Sequence, residues 1–267
     1  MMLNHHREGS GEPLVLIHGI GSRWQMWEPV LDRLTRQREV IALDLPGFGA
    51  SPMPPPGTSA GPQSLTSLVH DFLVQIGLDR PHVAGNSLGG LVALELARRD
   101  NVRTAHAISP AGFANRRESA LTRASLWASV RAARRLAPHA DALLVSRPAR
   151  ILAVGQYIAH PTWMAPADAA ANLRALAGAQ WFDETLPTVN EGHFGDGAGI
   201  TLPVTVSWGD RDRVLPPRQM WRAARAIPHA RFVPLPGCGH IPTYDDPELV
   251  SRVVLDASRN VEASRAD

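Results

Sequence analysis

Three kinds of side chain that nucleophilic chemistry uses stand in this 267-residue chain: Ser87, then a carboxylate at Asp210 or Asp212, then His240. Ser87 lies in Gly85-Asn86-Ser87-Leu88-Gly89, directly after the apolar Val83-Ala84 and directly before the helix-like run 88–97. A serine hydroxyl attacks well only if a tight turn holds it exposed, close to a base and to donors for the oxyanion it creates. Glycines on both sides permit that turn and let the following helix pack close to the strand. Five such residues are weak on their own, because a Gly-Ser pair ordinarily means no more than a turn. The flanks add weight, since the helix can aim its positive N-terminal end at the site. Downstream, segment 202–209 reads as a buried strand ending in Trp208-Gly209, with Asp210-Arg211-Asp212 on the loop that follows. Residues 231–235 read as a last strand, and 236–242 place His240 on a glycine-bounded loop.

The elements needed to position these loops are legible as an alternation. Short apolar runs at 14–18, 40–44, 82–85, 105–109, 204–208 and 232–235 read as strands. Amphipathic stretches near 26–34, 65–77, 88–99, 218–227 and 247–258 read as helices. That order predicts an α/β fold with a doubly wound, mostly parallel sheet covered on both faces. The loops carrying Ile20, Ser87, Asp212 and His240 all follow strand C-terminal ends, so they should meet on one sheet edge, where ligands bind in such folds. Between 111 and 200 the alternation gives way to an Ala- and Arg-rich stretch with helices clearest at 120–134, 147–159 and 165–176.

Four blocks in order resemble the α/β-hydrolase family from about His18 to about Pro247. They are His18-Gly19-Ile20-Gly21, Asp44-Leu45-Pro46-Gly47-Phe48-Gly49-Ala50-Ser51, the elbow at Ser87, and the Trp208-to-Asp212 segment with Gly239-His240. The resemblance implies a serine hydrolase with Ser87 as nucleophile, His240 as base and, from the family's spacing after Trp-Gly, Asp212 rather than Asp210 as the acid. It also implies a backbone oxyanion hole from the N–H groups of Leu88 and Ile20. The core is expected at 1–110 and 201–267, with a helical cap at 111–200 inserted after the sixth strand of the family's standard sheet. The family begins with an antiparallel strand pair, of which residues 3–12 leave room for at most one, so an open edge at which a homodimer could pair is expected. His18, Asp44 and Ser51 read as loop-ordering groups. Cys238 has neither elbow nor helix N-terminus and reads as a small loop filler.

Composition bounds the function. Hydrophobic residues make up 44% of the chain, enough for one large domain with an insertion. The formal charge is +2, and the pI near 9.3 reflects basic residues that are all arginine. Without lysine or a sustained basic stripe, nucleic acid is not an expected partner. Arg116, Arg117, Arg123, Arg131, Arg134, Arg135, Arg147 and Arg150 form the one local concentration. It reads first as a solvated helical face, and otherwise as a positive rim for anionic substrates or a membrane surface. A single cysteine excludes an intramolecular disulfide and fits a reducing, cytoplasmic compartment. No apolar run is long enough for a membrane span, His5-His6 lacks partners with metal-ligand spacing, and no cofactor is implied.

Trp127, Tyr157, Trp163, Met164, Trp181 and Phe182 concentrate in the insertion, where they would form either its own small core or the lining of an apolar substrate pocket. A serine nucleophile points to an ester or lactone as the small-molecule substrate, cleaved through an acyl-enzyme. Two alternatives stand beside it. One is a carbon–carbon bond hydrolase acting on a vinylogous diketone: in the family, asparagine at the position of Asn86 occurs both in such enzymes and in plain esterases and decides nothing, while several of the former carry tryptophan where this chain has Ile241. A ligand receptor with slow turnover and a moving cap is the alternative from another class.

Overall fold

In the computed structural model, which describes residues 1–189, 194, 195 and 197–259, the aliphatic runs become seven strands. These are β1 (His5–Gly9), β2 (Pro13–Ile17), β3 (Glu39–Leu43), β4 (His82–Asn86), β5 (Thr104–Ile108), β6 (Val204–Gly209) and β7 (Arg231–Leu235). They form one sheet in the order β1-β3-β2-β4-β5-β6-β7, with β1 antiparallel to β3 and every other pairing parallel. One strand, not two, precedes β2, so β1 is the sheet edge. It is polar and largely exposed (His-His-Arg-Glu-Gly), and Arg7 pairs with Glu39 across the register.

The helices of the core are α1 (Glu28–Leu34), α2 (Pro62–Gln75), α3 (Leu88–Arg98), α9 (Gln219–Ala226) and α10 (Pro247–Arg259). Alternation along each strand sends side chains to two separate layers. Val15, Ile17, Ile41 and Leu43 pack with Leu65 and Phe72 of α2 and Leu91 of α3, whereas Leu14, Leu16, Val40 and Ala42 pack with Val30 and Leu34 of α1 and Val250 and Val254 of α10. Both faces are covered, which is why these strands read as unbroken apolar runs. Each fully buried aliphatic side chain contributes about 1.5–3 kcal/mol.

Between β5 and β6 run α4 (Arg116–Leu136), α5 (Ala140–Leu144), α6 (Arg147–Val154), α7 (Pro166–Ala177) and α8 (Phe182–Val189). Residues 190–193 and 196 of the stretch read at 111–200 lie outside the described residues. The insertion has its own core of Ala133, Leu144, Val154, Ile158, Met164 and Leu173. The first helix starts four residues earlier than the pattern suggests, because Asn115 and Glu118 form a capping box. The helix read at 147–159 stops at Val154, since the backbone beyond it bonds the core instead: Ile241 N–H donates to the Tyr157 carbonyl at 2.8 Å. Glu118 is also the anchor between insertion and core, accepting from Arg218 at 2.5 Å and from Arg222.

Strand order reverses between β2 and β4, so the loops leaving their C-terminal ends diverge and open a crevice. Within the sheet, His106 lies buried in β5 with Nε2 2.8 Å from Ser207 Oγ. Burial, reinforced by Arg231, pushes its pKa down to about 3, and burial lowers those of His18 and His82 as well. The unfolded chain protonates these rings near pH 6.5 while the folded one does not, so stability is lost as pH falls below about 6.5. Urea unfolding followed from pH 7.5 to pH 4.5 is therefore expected to show a falling free energy. In His106→Gln the slope is expected to be shallower by about 1.4 kcal/mol per pH unit.

Candidate active site

Ser87 follows β4 and precedes α3 with φ +56° and ψ −114°, a conformation L-residues rarely adopt. Four interactions hold it there. Its N–H donates to the Ile108 carbonyl at 2.9 Å, and its carbonyl accepts from Leu91 N–H at 3.0 Å and Ala111 N–H at 3.1 Å. The fourth is steric, because a Cβ on Gly85 would sit 2.1 Å from the Gly89 carbonyl oxygen and one on Gly89 2.2 Å from that of Ile17. Only paired glycines let strand, turn and helix approach this closely. Leu88 is the first residue of the helix, so its N–H has no acceptor within the helix and lies directly after the serine.

The loop after β2 passes beside this turn: a Cβ on Gly19 would lie 3.1 Å from Ser87 Cβ. His18 shapes that loop, with Nδ1 2.7 Å from the Gly19 carbonyl and Nε2 2.9 Å from Leu45 N–H. A carbonyl can only accept and an N–H only donate, so the ring is the neutral Nδ1–H tautomer. Asp44 orders the neighbouring loop, accepting from Asn4 Nδ2 and Trp24 N–H at 2.7 Å and from Ala50 N–H at 2.9 Å, while Ser51 Oγ donates to the Asp44 carbonyl.

Asp212 and His240 sit on the loops after β6 and β7. Nδ1 of His240 is 2.8 Å from Oδ2 of Asp212, and both side chains are buried. A carboxylate oxygen accepts, so Nδ1 carries the proton and Nε2 of the neutral ring is left as acceptor. The other oxygen, Oδ1, accepts from Val214 N–H at 2.9 Å and Leu215 N–H at 2.8 Å, fixing the carboxylate plane. Asp210 has a different place: its Oδ1 accepts from Gly237 N–H at 2.8 Å and closes the turn before His240. Asn86 ties this loop to the serine turn, its Nδ2 donating to the carbonyls of His240 at 2.9 Å and Ile108 at 3.2 Å.

Ser87, His240 and Ile20 line one largely apolar cavity, closed on its far side by Leu126, Val154, Leu173 and Leu176 of the insertion. Of the six residues expected to line a pocket, Tyr157 does so. The other five are placed differently. Trp181 and Phe182 are buried in the core layer, with Trp127 edge-on to Phe182, and Trp181 N–H bonds the Gly47 carbonyl. Met164 belongs to the insertion's own core, and Trp163, 66% exposed, stacks on His160. Rings of that area serve better as the joint between insertion and sheet than as a thin lining. Asn172 and Tyr244 do line the cavity, bonded to each other at 3.3 Å, and were not singled out by pattern. The apolar spacing of Leu173 and Leu176 on the same helix is the signal that could have placed Asn172 at the cavity.

Asp245 was also missed. Its carboxylate accepts from Gly239 N–H at 2.8 Å, Ala159 N–H at 3.0 Å and His160 N–H at 2.8 Å, joining the histidine loop to the insertion. Cys238 is buried, and burial together with Asp245, Asp246 and Asp210 pushes its thiol up to about 12, so it is no rival nucleophile. Among the described residues no cluster of His, Cys, Asp and Glu could hold a metal ion, and no helix is long and apolar enough to cross a membrane.

The chain matches the family described as alpha/beta hydrolase fold over residues 12–247. It is 30% identical over 257 residues to the dihydrolipoyllysine-residue acetyltransferase component of the acetoin cleaving system of Cupriavidus necator, covering 90% of this chain and 62% of that protein. It is 39% identical over 99 residues to 2-hydroxy-6-oxo-2,4-heptadienoate hydrolase of Pseudomonas putida, 36% of each chain. In both cases less than two thirds of the relative's length is spanned. A solved bacterial structure described as a membrane phospholipase A, a virulence factor, superposes with a TM-score of 0.74 at 26% identity, covering 97% of this chain and 86% of that one.

The strained turn and the inert thiol each have a measurable consequence. Ser87→Gly removes the steric cost of φ +56° and should raise the urea unfolding free energy by about 1 kcal/mol, the net of 1–3 kcal/mol of relieved strain and up to 1 kcal/mol of added chain entropy. Unchanged or lowered stability would mean that the turn stores no strain. Native protein is expected not to react with a thiol reagent at pH 8, and unfolded protein to titrate one thiol.

Proposed function

Since the chain belongs to the alpha/beta hydrolase fold family, we propose that it is a hydrolase in which Ser87, His240 and Asp212 cleave a carboxylic ester or lactone through an acyl-enzyme. The observation that carries this is the hydrogen-bonded Asp212–His240 pair lining the same cavity as a serine held on a strained turn. Ser87 Oγ attacks the substrate carbonyl carbon while its proton passes to His240 Nε2, and the carbonyl oxygen becomes an oxyanion. The N–H groups of Leu88 and Ile20 stabilise that charge, each at about 3 kcal/mol. Collapse breaks the bond to the leaving oxygen, which takes the proton from His240, and the acyl group stays on Ser87. Water, deprotonated by His240, then attacks the acyl carbon and releases the acid with Ser87 reprotonated. Asp212 holds the imidazole tautomer and stabilises the imidazolium in both halves.

The helices at 111–200 act as a cap in this reading, and Asn172 and Tyr244 are the polar groups available to a substrate's hydrogen-bonding atoms. The phospholipase relative, similar over nearly the whole chain, supports ester chemistry. One lone buried cysteine fits a reducing compartment, and we place the protein in the cytoplasm. A second reading, cleavage of a carbon–carbon bond in a vinylogous diketone, is supported by the 39% identity over 99 residues to 2-hydroxy-6-oxo-2,4-heptadienoate hydrolase.

Hydrolysis of a p-nitrophenyl ester series from acetate to long acyl chains tests the proposal. Ser87→Ala and Asp212→Asn are expected to lower kcat at least about a thousandfold with little change in KM. Folded protein without turnover on any ester, but with loss of a dienone chromophore from a vinylogous diketone, would replace the first reading by the second.

A further inference from the structure

Outside the cavity, the surface of the insertion combines two properties that soluble surfaces keep apart. Leu121, Val145, Ile151 and Leu152 are 70, 67, 51 and 88% exposed. They are set among eight arginines within residues 116–154, a segment holding two acids, in a chain whose total charge is +2. Both acids are already matched by arginines from elsewhere: Glu118 by Arg218 and Arg222, and Asp141 by Arg174. Arg116, Arg117, Arg131, Arg135 and Arg147 are exposed. Gln156, just beyond α6, is bonded to Ser125 and Ser129 of α4, which brings the end of α6 against that face of α4. Leu121 is one turn from Ser125 and Arg117 one turn further, on the same helical face. A shallow groove beside them is lined by Pro148, Ile151, Leu152, Gly155, Gln156 and Arg213.

We propose that this face of α4 and α6 docks on an anionic lipid surface. Aliphatic side chains that insert at the headgroup boundary, ringed by cations that contact lipid phosphates, are the composition such binding uses. Charge selects this occupant over a second copy of the chain, since a two-fold contact would set the arginines of one face against those of the other. The absence of exposed aromatic rings from the four apolar positions disfavours stacking on nucleic acid bases. Leu126 and Val154, on the inner faces of the same two helices, line the cavity, so docking would bring the cap side of the cavity to the membrane. The inference rests on the surface alone and not on the ester reading.

Cosedimentation with phosphatidylglycerol and phosphatidylcholine vesicles tests it, using the full chain and its Ser87→Ala variant, which should bind alike. Binding is expected to phosphatidylglycerol and not to phosphatidylcholine, and to fall steeply between 0.05 and 0.5 M salt, on the order of a Debye length shortened from 14 to 4 Å. Ile151→Ser/Leu152→Asp should weaken partitioning at least about tenfold, and Arg117→Glu/Arg147→Glu by about fivefold or more per site. All four positions are exposed, so each variant should retain the parent's unfolding midpoint. Absence of binding to phosphatidylglycerol at low salt would overturn the proposal. So would undiminished binding by both variants, or a dimer in light scattering that Leu152→Asp dissociates.

Discussion

A Cβ on Gly209 would lie 2.3 Å from the carbonyl oxygen of Gly239, as one on Gly85 would lie 2.1 Å from that of Gly89. The site depends on this backbone-to-backbone approach. Because the acid and histidine loops touch main chain to main chain, a short aspartate can span from one to the other and meet the imidazole at 2.8 Å. Because the strand and helix around Ser87 do the same, the serine can be held in a conformation its side chain disfavours. Strain of that kind persists only where neighbours over-determine it, and here the Ile108, Leu91 and Ala111 hydrogen bonds supply the constraint.

The same loops are fixed a second time by polar side chains outside the chemistry. Asn86 holds the His240 carbonyl, Asp210 closes the turn before it, and Asp245 binds the adjoining N–H of Gly239. Asp245 also binds Ala159 and His160, and Arg213, next to Asp212, donates to the Gly155 carbonyl. The insertion is thereby bonded to the loops of the histidine and the acid, while its hydrophobic joint to the core runs through Trp181 and Phe182.

Much of the site was legible in the sequence because its parts are local. A Gly-x-Ser-x-Gly between strand and helix, an aspartate just past Trp208-Gly209 and a histidine directly after Gly239 each lie on a short loop with its own turn residues, and the strand ends carry them to one sheet edge. The strands were readable for a related reason: burial on both faces leaves continuous apolar runs. The choice between Asp210 and Asp212 was not local. Two residues apart on one loop, they differ in the structure by which one reaches the imidazole and which one caps a turn.

The pocket was the least legible part, and the aromatic residues show why. Composition identified where the rings were, but Trp127, Trp163, Trp181 and Phe182 could line a cavity, fill a core or face solvent with the same sequence neighbours. Their directions follow from how the helices of the insertion pack on one another and from which rings reach a core layer formed by residues far away in the chain. Asn172, Tyr244 and Asp245 escaped notice for that reason, since their partners lie 72, 72 and up to 86 residues away. By itself the sequence determined the order of elements, the turn at Ser87 and which loops carry the candidate serine, carboxylate and histidine, all set by short-range sterics and burial periodicity. Tertiary structure alone decided what surrounds them, because cavity walls and buried hydrogen bonds are made between segments whose spacing in the chain carries no signal.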